Sequence, residues 1–256
     1  MRAAALSSGS SGNCFYVEKD NSAILVDIGL SAKQVLERMQ LLNLNVEKIK
    51  GIFITHEHSD HILGVDVFAR RFNIPIYATK GTIAHGHLCS NKSMIHRITN
   101  NERVKIGSLE IEAFTKSHKA ADPVSYAIFD RKKVVSVITD AGYACENINE
   151  KISQSDFLFL ESNHDIEMLD SGPYPYFLKK WVKSDSGHLS NMQASLAVLE
   201  NGHRRLKHVV LSHLSKTNNS PEMALKTFGN LLKERSDFSA HVSVSLGSGP
   251  TELFNI

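Results

Sequence analysis

The sequence predicts an α/β architecture, mixed β-sheet layers covered by helices, and three observations carry that expectation. Short β-branched or apolar runs alternate with helical patterns from end to end. Two of those runs, Leu25-Val26 and Val209-Val210-Leu211, are continuously apolar, as strands covered on both faces should be. With 256 residues, 42% of them hydrophobic and 22% charged, the chain can bury a large core, which excludes a disordered tail, a collagen-like fibre and a disulfide-stapled mini-protein.

The strands are expected at 14–17, 24–27, 49–55, 76–78, 109–114, 125–129, 134–139, 157–161, 206–212 and 241–246. Helices fall between them. Over 31–42, Val35, Met39 and Leu42 recur four and three residues apart behind Ser31, which suits an N-cap. Leu189, Met192, Leu196 and Leu199 make a second stripe, expected to face the core. Ser220-Pro221-Glu222 reads as N-cap, Pro at the first helical position and an acidic first turn.

No repeat, low-complexity tract or Pro/Ser-rich linker divides the chain. A single domain over 1–256 is expected, made of two halves, roughly 1–130 and 131–256, that share one site. The formal charge is +2, so whole-protein electrostatics neither require nor exclude nucleic acid, and local clusters must carry that argument. Cys14, Cys89 and Cys145 are odd in number and far apart, which fits a reducing compartment. The opening MRAAALSSGSSGNC has no apolar secretory core, and no apolar stretch approaches the ~18–20 residues of a membrane span. A cytoplasmic protein is expected.

One count is out of line: 13 histidines. They concentrate at strand ends, most densely in GIFITHEHSDHILG, residues 51–64. An apolar strand runs into His56, Glu57, His58, Ser59, Asp60 and His61, and Gly64 opens a helix. His56 and His58, two apart at an extended strand end, point to one side. Asp60 and His61 lie on the following turn. The bland reading is a solvated loop or a hydrogen-bonded core cluster. Such an H-x-H-x-D-H string arises by chance on the order of 10⁻³ times per chain, so metal binding is the stronger reading. Four ligand-type residues within six positions are too many for one open catalytic ion, and a two-metal centre is the natural solution.

H-x-H-x-D-H after a hydrophobic strand resembles the signature of the metallo-β-lactamase superfamily. The resemblance extends along the chain through Asp27 in ILVDIG, His118 in TKSHKAADPVSYAI, Asp140 in VVSVITDAGY and His213 in VVLSHLSKTNNSP. The segments LSSGSSGNCFYVE, LESNHD, GHLSN and LSHLSKTNN narrow it to the YycJ/WalJ-type branch, whose members are metal-dependent hydrolases with DNA 5′→3′ exonuclease activity. Three departures from other branches sharpen the likeness. Position 58 is His where diiron flavoproteins carry an acid, Asp140 stands where many antibiotic-degrading members have Cys, and no long helical extension follows as in glyoxalase II-type thioesterases.

The resemblance implies an αββα sandwich of two mixed sheets flanked by helices. It implies two divalent ions, zinc by donor type with manganese or iron accommodated. His56, His58 and His118 would hold one ion, Asp60, His61 and His213 the other, and Asp140 would bridge them. A bridging hydroxide would be the nucleophile, with Asp60, His188 and Glu161 as the catalytic side chains and Asp27 orienting the histidine loop. Glu161 and His188 look like the proton-relay pair of the related tRNA-processing nucleases; the alternatives are a structural pair and a helix-capping His188. His188, Ser190 and Asn191 stand at a helix mouth where donors could meet an anion. His164 could bind phosphate, support Glu161 or pack.

A nucleic-acid substrate needs a basic track. Candidates are Arg70-Arg71, Arg131-Lys132-Lys133, Lys179-Lys180 with Lys183, and Arg204-Arg205 with Lys207, with Trp181, Tyr174 and Tyr176 placed to stack on bases. The expected function is therefore a two-metal phosphodiesterase acting on DNA as an exonuclease. The alternatives are a thioesterase or small-molecule phosphodiesterase on the same scaffold, and, more distantly, a non-enzymatic metal-binding scaffold.

Overall fold

The computed structural model describes residues 1–235 and 237–256. Their elements run β1 (Arg2–Ser7), β2 (Cys14–Lys19), β3 (Ser22–Val26), α1 (Ala32–Leu41), β4 (Ile49–Phe53), α2 (Ser59–Ile62), α3 (Val65–Phe72), β5 (Ile76–Ala78), α4 (Lys80–His85), β6 (Ile95–Arg97), β7 (Arg103–Ile106), β8 (Leu109–Thr115) and β9 (Val124–Phe129). They continue with β10 (Val134–Ile138), α5 (Glu146–Gln154), β11 (Phe157–Glu161), α6 (Ile166–Ser171), α7 (Tyr176–Val182), α8 (Asn191–Asn201), β12 (His208–Ser212), α9 (Pro221–Leu232), β13 (His241–Val244) and β14 (Phe254–Asn255). The strands form two mixed seven-stranded sheets, ordered β14-β1-β2-β3-β4-β5-β6 and β13-β12-β11-β10-β9-β8-β7. Two compact units result: residues 1–115, 120–133 and 246–256, and residues 116–119 and 134–245.

In the first unit, antiparallel β1, β2 and β3 give way to parallel β3, β4 and β5, with Val26 opposite Phe53. Parallel pairing brings the carboxyl ends of β3 and β4 side by side, and this sets Asp27 against the histidine loop. Phe53 stacks on Tyr77 with ring centroids 4.7 Å apart and meets the edge of Tyr126 on β9 at 5.5 Å. The Tyr126 hydroxyl donates to the Ile54 carbonyl at 2.8 Å, so its buried polar end is satisfied while its ring fills the core.

In the second unit β10, β11, β12 and β13 are all parallel, with Ile138 opposite Leu160 and Glu161 opposite Ser212. Every return to the starting edge needs a crossover, which α5, α8 and α9 supply with their neighbours. Residues far apart in sequence therefore reach one edge of the sheet. All of β11 is buried, including Phe157 and Phe159, each worth about 2–3 kcal/mol of burial.

The helix signals read from the sequence hold where they rest on caps. Ser31 and Gln34 form a full capping box on α1, and Ser220 caps α9 with Pro221 at its first position. The 189–199 stripe is corrected. Met192 is exposed, and the buried face of α8 is Asn191, Ala194, Ser195, Ala197 and Val198, because small residues let the helix lie close to its neighbours. Strands β1, β6, β7 and β14 were not expected. In β1 the run Ala3-Ala4-Ala5 has weak β-propensity but is fully buried between β2 and β14, so tertiary context overrides it. No helix among the described residues is long and apolar enough to cross a membrane.

Candidate metal centre

The first unit gathers four of the expected side chains within one loop. After β4 the chain delivers His56, then His58 as the N-cap of α2, with Asp60 and His61 on that single turn. Asp27, just past β3, is buried and holds the loop by both oxygens. One accepts the Thr55 N–H at 2.8 Å; the other accepts the Thr55 hydroxyl at 2.8 Å and His61 Nδ1 at 2.7 Å. Because the Thr55 proton is committed to Asp27, the contact of Thr55 Oγ1 with His56 Nδ1 at 2.9 Å makes that nitrogen the donor. His56 Nε2 then carries the lone pair, and it faces His58 Nδ1 at 3.0 Å.

In the second unit the donors come from five separate segments: His118 between β8 and β9, Asp140 after β10, Glu161 ending β11, His188 before α8 and His213 after β12. Glu161 is their hub. One of its oxygens accepts the backbone N–H of Ala141 at 2.7 Å and of Leu189 at 3.1 Å. The other accepts His188 Nδ1 at 2.9 Å and His213 Nδ1 at 2.8 Å. Burial would raise this carboxyl, but His188 and His213 outweigh it and hold Glu161 down to about 2. Asp140, Glu161, His188 and His213 offer ligand atoms within 4.8 Å of one another. His118 Nδ1 donates to the Gly187 carbonyl at 3.1 Å, which leaves Nε2, 3.7 Å from Asp140 Oδ1, with the lone pair. Burial lowers His118 to about 4, so its imidazole is neutral at physiological pH.

These features fit a divalent cation. A metal needs neutral imidazoles whose other nitrogen is anchored, and His56, His61, His118 and His213 each have Nδ1 tied to a hydroxyl, carboxylate or carbonyl. Two imidazole nitrogens on one tetrahedral ion lie about 3.3 Å apart, close to the separation of His56 Nε2 and His58 Nδ1. Three residues of these clusters, Asp27, Asp140 and His213, adopt left-handed φ of 60°, 54° and 57° within two residues of the ends of β3, β10 and β12. Each such conformation costs on the order of 1–3 kcal/mol in a non-glycine residue, and it turns the side chain across the strand end.

Two expectations are corrected. Ser190 and Asn191 are not donors awaiting an anion. Ser190 is committed to a capping box with Gln193, and the Asn191 side chain is buried in a network with Ser162 and Asn219. Trp181 is not presented for stacking, since it packs edge-on against His188 at 5.4 Å. Of the other basic clusters, Arg70 is paired with Asp66 and Arg204 with Asp237. His164 is buried, its Nδ1 has no hydrogen-bond partner among the described residues, and burial lowers its pKa to about 4.

Sequence reasoning missed Asn13. Its side-chain amide lies 3.3 Å from Asp60 Oδ2 and 3.1 Å from His61 Nε2, while its oxygen accepts the Gly9 N–H at 3.0 Å. The glycine-rich SGSSGN turn was the available signal. Gly12, at φ 141°, leaves no room for a Cβ against the Gly29 carbonyl, so the loop must be glycine there to bring Asn13 to α2.

Residues 22–214 match the β-lactamase superfamily domain. The chain is 37% identical to an exodeoxyribonuclease YycJ of Bacillus anthracis, over 90% of this chain and 88% of that protein. It is 36% identical to an exodeoxyribonuclease WalJ of Streptococcus pneumoniae, over 90% and 87%. Among solved structures it is similar to the metallo-β-lactamase fold protein YhfI from Bacillus subtilis, with a TM-score of 0.74, 17% identity and 98% of each chain covered. Human short-form tRNase Z aligns at a TM-score of 0.67 with 15% identity over the whole of both chains. On the matched domain and the two relatives, the chain belongs to the β-lactamase superfamily, with the metallo-β-lactamase fold and with similarity to exodeoxyribonucleases of the YycJ/WalJ type.

Proposed function

We propose that this protein is a dinuclear metal-dependent phosphodiesterase that degrades DNA as an exonuclease. The observation that carries the reading is the set of Nδ1-anchored imidazoles beside Asp60 and Asp140, in a chain whose relatives at 36–37% identity are named exodeoxyribonucleases. On this reading His56, His58 and His118 hold one ion, Asp60, His61 and His213 the other, and Asp140 serves both. Zinc suits the donors. When bound, the ions supply Lewis acidity, which polarises the phosphoryl oxygens and makes water a competent nucleophile at neutral pH.

The protein's own groups do the rest. Asp27 fixes the ring plane of His61 through Nδ1, and Thr55 does the same for His56. Glu161 accepts from His188 Nδ1, so the proton His188 can deliver is the one on Nε2. A departing sugar alkoxide has high proton affinity, and on this reading His188 protonates it as general acid. A thioesterase has a leaving group that needs no such proton, so this pair favours the phosphodiester reading.

The test is a time course on end-labelled single- and double-stranded DNA and RNA, run alongside elemental analysis of the protein and of its Asp140→Asn variant. Metal-dependent shortening of DNA from one end is expected, with two ions per chain and at least a thousandfold loss of activity, about 4 kcal/mol, in the variant. If no nucleic acid is cleaved with zinc, manganese or iron restored, while a thioester or small chromogenic diester is turned over, the reading fails.

A further inference from the structure

Helix α7 of the second unit turns both aromatic and basic side chains outward. Tyr176 and Phe177 are 81% and 73% exposed, the highest values of any large apolar side chains among the described residues. Ordinary folding leaves single apolar residues exposed, but two adjacent aromatics on a lysine-bearing helix are not explained by packing. Tyr176, Lys179, Lys180 and Lys183 follow the i, i+3, i+4, i+7 spacing that places four side chains along one helix face. With Asp170 and Ser184 they line a surface pocket of about 590 Å³, the size range of small-molecule and nucleotide sites.

Two of the three lysines of this face are held in place. Lys183 pairs with Asp170 at 2.5 Å, and Lys179 Nζ donates to the Asp170 carbonyl at 2.7 Å. Lys180 takes part in no ion pair among the described residues. Three lysines against one aspartate leave the pocket net positive. The same stretch leads directly to the expected general acid. Trp181, one turn after Phe177, packs on the His188 ring, and the His188 N–H donates to the Val182 carbonyl at 3.0 Å.

We propose that the exposed surface of α7 is a clamp for single-stranded nucleic acid, with Tyr176 and the neighbouring Phe177 stacking on unpaired bases and Lys179, Lys180 and Lys183 taking the phosphates between them. Exposed ring faces can stack only on bases that are free of a duplex, so the clamp selects single strands without reading sequence. The inference rests on the proposed function, to which it adds the strandedness of the substrate and its gripping surface.

The experiment is fluorescence anisotropy of a labelled phosphorothioate oligothymidylate of about 12 nucleotides, and of a duplex of equal length, with the metal-loaded protein. The variants are Tyr176→Ala/Phe177→Ala and Lys180→Glu, all at exposed positions. The single strand is expected to bind more tightly than the duplex. The aromatic pair should weaken it about five- to a hundredfold, and Lys180→Glu should flatten the log–log salt slope by roughly 0.7. The ratio of kcat/KM on single-stranded DNA to that on a small chromogenic diester should fall in parallel. Equal affinity in wild type and the aromatic variant overturns the clamp, as does binding to anionic phospholipid vesicles in place of the oligonucleotide. Cleavage of DNA with unchanged affinity in the variants defeats the clamp and leaves the nuclease reading intact. Tight, aromatic-dependent binding without cleavage supports the clamp and defeats the nuclease reading.

Discussion

In the first unit one buried carboxylate, Asp27, holds one imidazole; in the second, Glu161 holds two. Both use the same division of labour, with one oxygen on backbone N–H and the other on histidine Nδ1. The difference lies in what each ties together. Asp27 serves a cluster that is already nearly contiguous, Thr55 to His61, and needs only the parallel pairing of β3 and β4 to reach it. Glu161 joins segments at Ala141, Leu189 and His213 that have no local reason to meet. Asp27 therefore orients ligands that the chain already gathers, whereas Glu161 holds together segments that only the topology brings near. Burial acts against the charged form of Glu161, and His188 and His213 overcome it.

The sharpest way to break the comparison is His188, which only the second unit has. His188→Ala should lower kcat on DNA about 10²–10⁴-fold with both metals retained. With p-nitrophenolate as leaving group the loss should largely vanish, because that group scarcely needs a proton. An equal loss on both substrates, or a lost ion, would place His188 among the metal or phosphate ligands.

Exchanging the two anchors comes next. Asp27→Asn should weaken metal binding by about 10–100-fold, the usual cost of losing a partner that orients a ligand. Glu161→Gln should weaken metal binding by a similar factor and, in addition, lower kcat at saturating metal, since it loosens the acid as well as His213. Metal titrations followed by kinetics at saturation separate the two, and identical kcat values for both variants would show that Glu161 does no more than Asp27.

The smallest effect concerns stability against acid. His164 is buried neutral, with its pKa lowered from 6.5 to about 4. The unfolded chain therefore takes up a proton that the folded chain refuses, and stability is lost as pH falls from about 6.5 towards 4. The loss should reach roughly 1.5 kcal/mol by pH 5.5. His164→Gln should remove that limb from a plot of thermal midpoint against pH. An unchanged limb would assign it to other groups. The Glu161 contribution lies lower, present in full above its ordinary value of 4.5 and lost as pH falls towards 2, so the two are separable.

The same contrast decides what is legible in the sequence alone. The 56–61 cluster was legible because its ligands share a single loop, and strand ends at 76–78 and 157–161 came out to the residue because β-branched and aromatic runs stop there. The second cluster was legible only through family resemblance, since spacing alone says nothing about which of five strand ends converge. Asn13 was hidden because its role depends on a glycine turn meeting α2 across 47 residues of sequence. Strand β1 was hidden because its evidence, three alanines, is evidence for small space and not for β structure. Ser190 and Asn191 were misread because helix-mouth donors look alike in sequence whether they face a ligand or cap their own helix.

The left-handed backbones of Asp27, Asp140 and His213 bear on how this protein can lose its activity over generations. Most side chains are strained at such φ, whereas Gly and Asn enter it readily, so drift at these positions is channelled. A copy that has abandoned catalysis but kept its fold should carry Asn or Gly where the aspartates stood, and rarely Val, Ile or Leu. Substitution by a β-branched residue there would remove a ligand and strain a strand end in one step, leaving a gene product cleared by proteases rather than one free to acquire a new role. These three turns thus make some evolutionary exits from the activity far easier than others.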